Sequence, residues 1–486
     1  MASDVARSQS PFSTPRLQLR YLTFFLVACS LVFAQGFAAA TEEAAPATQD
    51  AKKDDAKKKD SKKKDPPPRY FAITGATLHP VSGPVLEGST VLCKNGKIAV
   101  IGHKVEIPNG AEVLDATGFH VYPGLVAVSS SGLLGGEPPE NTTNVYSLSM
   151  SLALSGGITT AVTGNTAAKL TFGRVDDVDD MVLKRNIFTT LPCGSSGRSY
   201  SSRYGGSSFR GSGSGHDPQA WRKFREALEK ARQFLRDRQA HEEKKKIDPK
   251  APAPDSGKLS GDAQLALKLI RHEVTAVTSA SNSRDLRDLA LLAGKYDFPL
   301  VVRGATEGWT VASEMGRAGI RAIITPRTRS DRDKRTNRPN GSSIENARVL
   351  HEHGVSLAII PSRTGTSTSG LVGRDLMHLP MEAAFAVRGG LSQEAALKAI
   401  TLEAAKILGI DHRVGSIEIG KDADFAIVDG DILHYMTMVR WTVVGGRIAY
   451  DKQKDSLLEH IRPEGDRDAP APPDYWPRRL GEEWGK

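Results

Sequence analysis

Short apolar runs separated by turn signals characterise residues 69–122. Two of the runs, at residues 90–93 and 98–101, flank the pair Asn95-Gly96. Both residues of that pair tolerate the positive φ angles of a two-residue type I′ turn, so they predict a tight β-hairpin. The pattern over the whole segment predicts a small β domain. Residues 414–451 have the same β character, with a second turn signal at Gly445-Gly446.

The segment between these two β-type stretches, residues 123–413, alternates β-type runs with helical ones. Residues 283–295 place leucines at helical spacing, and residues 393–408 do the same with Ala, Leu and Ile after Ser392, a good N-cap. The alternation predicts βα units and a distorted (β/α)8 barrel. The strands are predicted at residues 159–163, 274–278, 300–302, 322–324 and 357–360.

An insertion interrupts this alternation. Residues 194–215 are almost wholly Gly and Ser with scattered arginines and aromatics, and a charged helical pattern follows over residues 218–246. The insertion is interpreted either as a mobile loop over the barrel mouth or as a plain disordered segment. The helix carries an apolar stripe that we expect to pack on the barrel. The stripe consists of Trp221, Phe224, Leu228, Ala231 and Leu235.

The N-terminus has the features of an export signal. An apolar run at residues 21–37 follows two arginines and ends in three alanines, so we expect residues 1–40 to be a signal peptide cleaved near Ala40. The expected location is therefore the periplasm or the cell envelope. Two alternatives stay open. One is an uncleaved anchor, although the run is shorter than the roughly 20 residues of a bilayer span. The other is a lipoprotein acylated at Cys29.

The composition of the chain bears on the size of its core, on nucleic-acid binding and on disulfide bonds. The chain has 486 residues, 39% of them hydrophobic, which is enough for a large core with an appended domain. Residues 41–68 are rich in Lys, Asp and Pro and predict a disordered linker, and residues 452–486 form a C-terminal tail. Residues 51–65 alone hold eight lysines against four aspartates, which is +4 of the formal charge of +9, so a basic nucleic-acid-binding face is not indicated. Outside the expected signal, only Cys93 and Cys193 remain, too few for a disulfide framework.

Two motifs bracket the predicted barrel. Residues 115–125 read DATGFHVYPGL, and residues 414–430 read VGSIEIGKDADFAIVDG. They resemble the corresponding segments of the amidohydrolase superfamily, closest to its imidazolonepropionase-like branch. The resemblance extends over about residues 69–451. It implies a distorted TIM-like barrel plus a small composite β-sandwich to which both ends of the chain contribute.

The same resemblance implies a metal-dependent hydrolase of non-peptide carbon-nitrogen bonds. Such chemistry needs a divalent metal of the zinc class to polarise a carbonyl and to activate water. In the family two histidines follow the first barrel strand, two more lie on later strands, and an aspartate ends the last one. Carried over by local motif, these five ligand positions hold Ser129, Ser131, Ser279, Gly304 and Ser362.

Serine hydroxyls are poor zinc ligands and glycine offers no side chain, so no metal cofactor is predicted. His351 and His353 do not replace the lost ligands, because residues two apart on a helix point about 200° apart. Three neighbours are possible pocket residues. Arg303 and Arg363 can form an anion site or pair with local carboxylates, and Glu307 follows Gly304 by three residues. Serine catalysis would need an oriented base, and the sequence marks none.

Three functions therefore stay open. The first is a non-catalytic subunit or ligand-binding homologue with a metal-bearing amidohydrolase paralogue as partner. The second is a divergent hydrolase of a small amide, cyclic imide or dipeptide. The third is an envelope structural protein. The partners implied are that paralogue and a small-molecule ligand, in a homo- or hetero-oligomer, and no nucleic acid.

Overall fold

The computed structural model describes residues 67–174, 178, 180–193, 218–248, 252, 259–367 and 373–455. The predicted signal peptide, the linker up to residue 66, the Gly/Ser insertion and the tail beyond residue 455 lie outside the described residues.

Strands account for both β-type ends of the chain and for the barrel. In chain order they are β1 Tyr70–Leu78, β2 Leu86–Lys94, β3 Lys97–Gly102, β4 Glu112–Asp115, β5 His120–Pro123, β6 Leu125–Ala127, β7 Ile158–Thr163, β8 Thr166–Lys169, β9 Val182–Lys184, β10 Thr189–Thr190, β11 Ala276–Ala280, β12 Leu300–Gly304, β13 Arg321–Ile324, β14 Ser356–Ile359, β15 Phe425–Val428, β16 Val439–Val444 and β17 Arg447–Asp451.

Helices lie between the barrel strands. They are α1 Pro139–Thr142, α2 Leu148–Ser155, α3 Pro218–Ile247, α4 Asp262–Ile270, α5 Ser283–Tyr296, α6 Ala312–Arg317, α7 Asn346–Glu352, α8 Leu379–Arg388, α9 Gln393–Ala399 and α10 Leu402–Leu408. None of the helices in the described ranges is both long and apolar enough to cross a membrane.

The two ends of the chain form one composite sheet, as predicted. Its order is β17-β16-β15-β5-β1-β2-β3, with β4 also paired to β1. Antiparallel pairing of β15 with β5 joins the C-terminal strands to the N-terminal ones. These strands form a single sheet around a core of its own, which contains Phe71, Ile73, Val91, Phe425 and Val443.

Both predicted hairpin turns are confirmed. Asn95 and Gly96 have φ angles of 51° and 77° between β2 and β3, and Gly445 and Gly446 have 58° and 64° between β16 and β17. Positive φ at both central positions is the type I′ geometry, which matches the twist of the flanking strands. The two turns meet, because a Cβ on Gly96 would lie 3.0 Å from the Gly445 carbonyl oxygen.

The barrel is distorted, as predicted. Its described part contains seven parallel strands in two sheets, β6 with β7 and β10 through β14. The hairpin β8-β9 continues the first sheet with antiparallel pairing. The loops after β6 and β14 meet where the Ser131 N–H donates to the Thr364 carbonyl oxygen at 2.8 Å.

The predicted helix over residues 393–408 is in fact two helices, α9 and α10. The Ser392 cap is confirmed, since its side chain accepts from the Ala395 N–H. The break falls at Ile400 and Thr401, and Thr401 has φ −134° and ψ −96°. The Ile400 carbonyl oxygen accepts from the Val126 N–H of β6 at 3.0 Å, so it is committed to the first barrel strand. This tertiary contact overrides the continuous helical pattern.

The charged helix α3 is confirmed over 30 residues. Its N-terminal half buries Phe224, Ala227, Leu228 and Ala231, and Trp221 packs against the same core. The stripe therefore packs on the barrel domain, as predicted.

A buried ion-pair network fastens the composite sheet to the barrel. Lys169 of β8 lies 2.8 Å from an Asp422 oxygen and 3.0 Å from an Asp424 oxygen. Arg413 and Lys97 reach Asp422 at 2.8 Å and 3.1 Å. The side chains of the two aspartates are 3% exposed and that of Lys169 is 12% exposed, whereas that of Lys97 is 57% exposed. Asp422 and Asp424 thus hold two parts of the fold together.

A histidine pair lies where the central strands β1 and β5 of the composite sheet meet. His79 Nε2 lies 2.9 Å from His120 Nδ1, and the His79 ring stacks on Tyr122 at 4.2 Å between centroids. Burial, with a contribution from His120, lowers the pKa of His79 from 6.5 to about 4. The unfolded chain therefore binds more protons than the folded one between these two pKa values.

We expect the free energy of unfolding to fall as the pH is lowered from about 6.5 to about 4, with His79 contributing at most about 3 kcal/mol. Urea titrations at several pH values should show a smaller acid loss in His79→Phe than in the wild type. The exposed His412, changed to Phe, is the control. Identical pH profiles for His79→Phe and the wild type would contradict this assignment.

Candidate functional site: the barrel mouth

The five predicted ligand positions all lie at or after the carboxyl ends of barrel strands. Ser129 and Ser131 follow β6, Ser279 is on β11, Gly304 ends β12 and Ser362 follows β14. Loops at this end of a barrel leave room for a ligand, which is why active sites of such folds lie here.

The serine run after β6 is held in place by backbone contacts. Ser130 donates both its N–H and its hydroxyl to the Val162 carbonyl oxygen of β7, at 2.6 and 2.8 Å. The Ser131 hydroxyl is exposed and accepts from Thr364 Oγ1 at 3.2 Å. Ser129 is half-buried, and Ser362 is exposed two residues before Thr364. The structure thus brings Ser131 next to the loop that carries Ser362.

Strand register places Arg303, rather than Gly304, beside Ser279. Ser279 pairs with Arg303 across β11 and β12, while Gly304 pairs with Ala280. Paired residues on neighbouring strands share a face, so Arg303 is the β12 side chain on the Ser279 side of the sheet. Gly304 has φ 98°, a conformation that favours glycine, and a Cβ there would lie 2.9 Å from Ser281 Oγ.

Arg303 is a half-buried cation in this mouth. Its guanidinium carbon lies 5.9 Å from the centroid of the Phe188 ring, and its Nε has no hydrogen-bond partner. Burial lowers the pKa of Arg303. Within the described ranges no aspartate or glutamate forms an ion pair with it.

Two carboxylates of the described segments near the mouth, Glu307 and Glu382, already have partners. Glu307 accepts from the backbone N–H groups of Ser283 and Gly341, both at 2.8 Å. It therefore braces two loops, and it is not placed as a free pocket residue. Glu382, which is 1% exposed, pairs with Arg327 at 2.6 Å.

The other predicted residues lie on the surface. Arg363 is exposed, and its backbone N–H donates to the Arg374 carbonyl oxygen at 3.0 Å. His351 and His353 are exposed at the end of α7, and His353 Nδ1 lies 2.8 Å from the Val349 carbonyl oxygen.

One pair in the loop after β14 was not anticipated from the sequence. His378 Nδ1 lies 2.6 Å from Asp375 Oδ1, and Asp375 also accepts from the Ser367 N–H at 3.2 Å. An aspartate that orients an imidazole in this way supplies two members of a nucleophile-activating triad. No serine hydroxyl of the described residues is placed at the other His378 nitrogen by a hydrogen bond. The spacing Asp375-Leu376-Met377-His378 was the only available signal, and such spacing is common.

The residues present do not fit the metal that the family resemblance implies. The donor set at the five positions is four hydroxyls and one glycine, without an imidazole or a carboxylate. Among the residues with described positions, no group of three or more His, Cys, Asp or Glu side chains is arranged to hold a metal ion. These residues therefore do not support a metal-dependent reaction at the barrel mouth.

Comparison with known proteins supports the resemblance in sequence and in fold. Residues 294–456 match the amidohydrolase family model. The chain is 41% identical over 68 residues to the N-acetylglucosamine-6-phosphate deacetylase of Danio rerio, which covers 14% of this chain and 16% of the relative. It is 34% identical over 118 residues to the imidazolonepropionase of Syntrophobacter fumaroxidans (strain DSM 10017 / MPOB), 24% of each protein.

A solved amidohydrolase from Thermotoga maritima MSB8 has the same fold. It superposes with a TM-score of 0.53 at 21% identity, covering 79% of this chain and 100% of that structure. The chain thus spans less than a quarter of the curated relatives described above but the full extent of this fold. Residues 294–456 are therefore similar in sequence to the amidohydrolase family, and the barrel with the composite sheet has the fold of this solved amidohydrolase.

Proposed function

We propose that this protein is a non-catalytic homologue within the amidohydrolase superfamily, a ligand-binding subunit that works beside a metal-bearing amidohydrolase. One observation carries the proposal. The motifs that build the frame are intact, while all five positions expected to hold the metal lack a ligand side chain. The predicted export signal would place the protein, and its partner, in the periplasm or cell envelope.

The first test is metal content. Full-length protein purified without chelators should carry well under one equivalent of zinc, iron, manganese or nickel after dialysis, measured by plasma mass spectrometry. The physical reason is that neutral hydroxyls bind these ions weakly compared with imidazole and carboxylate. Stoichiometric metal bound at the barrel mouth would overturn the proposal.

The second test is activity with and without a partner. Affinity capture from native cells should recover a metal-bearing amidohydrolase. Hydrolysis of small amides, cyclic imides and dipeptides should then require that captured chain. Turnover by this protein alone would contradict the proposal, especially if changing Ser129 and Ser131 to alanine abolished it.

A divergent hydrolase is the second candidate, and the Asp375–His378 pair is the observation that favours it. If the chain alone shows turnover, His378→Gln should abolish it, because the imidazole would be the base that activates a hydroxyl or a water. The exposed His353, changed to Gln, is the matched control and should leave that turnover unchanged. Equal turnover in the two variants would exclude this pair as the catalytic base.

A further inference from the structure

We infer that the barrel mouth binds a small anion, the carboxylate or phosphate group of an organic ligand, on the side chain of Arg303. The inference rests on the proposed function, because it treats the mouth as free of metal. It deepens that function by naming the chemical class of the ligand.

The positive charge of Arg303 lies at the barrel mouth. Arg303 shares a sheet face with Ser279, at the end of the barrel where the five ligand positions lie. A guanidinium on that face is a fixed positive charge at the place where the family resemblance implies a divalent cation. It differs from a metal in one respect, since it attracts an anion through a planar fork of N–H donors and does not act as a Lewis acid.

Arg303 has no carboxylate partner among the residues that the structure describes. A half-buried guanidinium loses part of its hydration, and proteins normally compensate this with a carboxylate. Three carboxylates in the described neighbouring segments have other partners: Glu307 accepts from two backbone N–H groups, Glu382 of α8 pairs with Arg327, and Asp375 pairs with His378. In the part of the chain that the structure describes, Arg303 therefore has an unused capacity for an anion.

The surroundings of Arg303 are compatible with a bound anion. The centroid of the Phe188 ring lies 5.9 Å from the Arg303 guanidinium carbon, within the range of a cation–π contact. At this end of the barrel strands, four of the five ligand positions carry hydroxyls, which can donate hydrogen bonds to anions, and none carries a negative charge. Exposed Ser279 lies beside Arg303 in register.

The experiment measures anion binding by the full-length protein. Inorganic phosphate and acetate are the probes, titrated calorimetrically and in thermal unfolding at constant ionic strength, with chloride as the balancing salt so that screening does not change. The wild type should bind at least one probe and show a rising melting temperature. Response to acetate alone indicates a carboxylate ligand, and response to phosphate alone indicates a phosphate ligand; either supports the inference.

Arg303→Met should weaken binding by about tenfold or more, because it removes the charge-assisted hydrogen bonds and keeps the length of the side chain. Arg303→Lys keeps the charge without the fork and should bind with intermediate affinity. The control is Arg388→Met, which makes the same change of net charge at an exposed position on α8. It should bind like the wild type.

The thermal unfolding data also distinguish a misfolded Arg303→Met variant from one that has lost only the anion site. In buffer without either probe, Arg303→Met should melt at or above the wild-type temperature, because an uncompensated half-buried charge has been removed. Should the Met variant fail to fold, the Lys variant still tests the fork. Absence of binding to both probes by the wild type, or equal binding by wild type, Met and Lys variants, overturns the inference.

The outcome is separable from that of the proposed function. Metal content measured on the same preparation decides whether the mouth is free of metal. No anion binding with no metal would refute only the anion site, whereas stoichiometric metal would refute the proposed function.

Discussion

Lys169→Met is expected to lower the free energy of unfolding by about 3 to 5 kcal/mol. Lys169 is the shared cation of two buried carboxylates, at 2.8 Å from Asp422 and 3.0 Å from Asp424. Removing it leaves buried negative charge with fewer partners, and that desolvation is not recovered by the methionine side chain. The measurement is equilibrium urea unfolding of the full-length protein at neutral pH.

Lys97→Met is the matched control, because it removes a lysine from the same Asp422 carboxylate. Lys97 is 57% exposed and lies 3.1 Å from Asp422, so solvent screens its ion pair. Its loss should change stability by less than about 1 kcal/mol. Equal effects of the two substitutions would show that burial does not govern this network.

The same network should also give a separate acid transition. Burial opposes ionisation of Asp422, but Lys169, Arg413 and a hydrogen bond from Lys97 outweigh it, so the pKa of Asp422 is lowered. A lowered pKa contributes stability that is present above the unfolded pKa and is lost as the pH falls through the folded one. That loss lies below about pH 4, below most of the His79 window. Lys169→Met should move the Asp422 loss to higher pH.

Gly124→Ala is expected to destabilise the protein by about 2 to 3 kcal/mol. A Cβ on Gly124 would lie 2.0 Å from Thr159 Oγ1 and 2.4 Å from Thr159 Cγ2. Thr159 is fully buried on β7, so it has no space to move. The glycine of the Pro123-Gly124-Leu125 motif therefore permits β6 to approach β7, and alanine would separate the first two barrel strands.

Gly136→Ala is the matched control, since a Cβ at Gly136 would meet nothing within 4 Å. Its effect should stay within about 0.5 kcal/mol. Thermal and urea unfolding of both variants check the comparison. A neutral Gly124→Ala would mean that β6 and β7 can separate at little cost.

Some of the fold could be read directly from local pattern. Asn95-Gly96 specifies a turn because both residues accept positive φ, whatever lies around them. The helix over residues 283–295 follows in the same way from apolar spacing, and the structure extends it only to Tyr296. The broken helix at Thr401 was missed, because its cause is a hydrogen bond from Val126, far away in the sequence.

Some features of the candidate site could likewise be predicted from the sequence, and others are visible only in the structure. The prediction that Ser129 and Ser131 do not hold a metal follows from residue chemistry behind an intact motif, so it needs only the sequence. That Arg303 lies beside Ser279 and near Phe188 was decided by strand register, which arises from packing between distant segments. The same is true of Glu307, which reads as a pocket residue by spacing but accepts from the N–H groups of Ser283 and Gly341.

The sequence by itself therefore determined the type of fold and the hairpins, because turn conformation and helical periodicity are properties of residues and their near neighbours. The prediction that the metal ligands are lost also comes from the sequence alone, since ligand chemistry is a property of the residue type. Only the tertiary structure decided which charges are compensated. Lys169 lies between Asp422 and Asp424, whereas Arg303 has no carboxylate partner among the residues that the structure describes. The difference comes from burial and from the partners that distant segments bring to each side chain. The energy of a charge depends on those surroundings, which no local pattern contains.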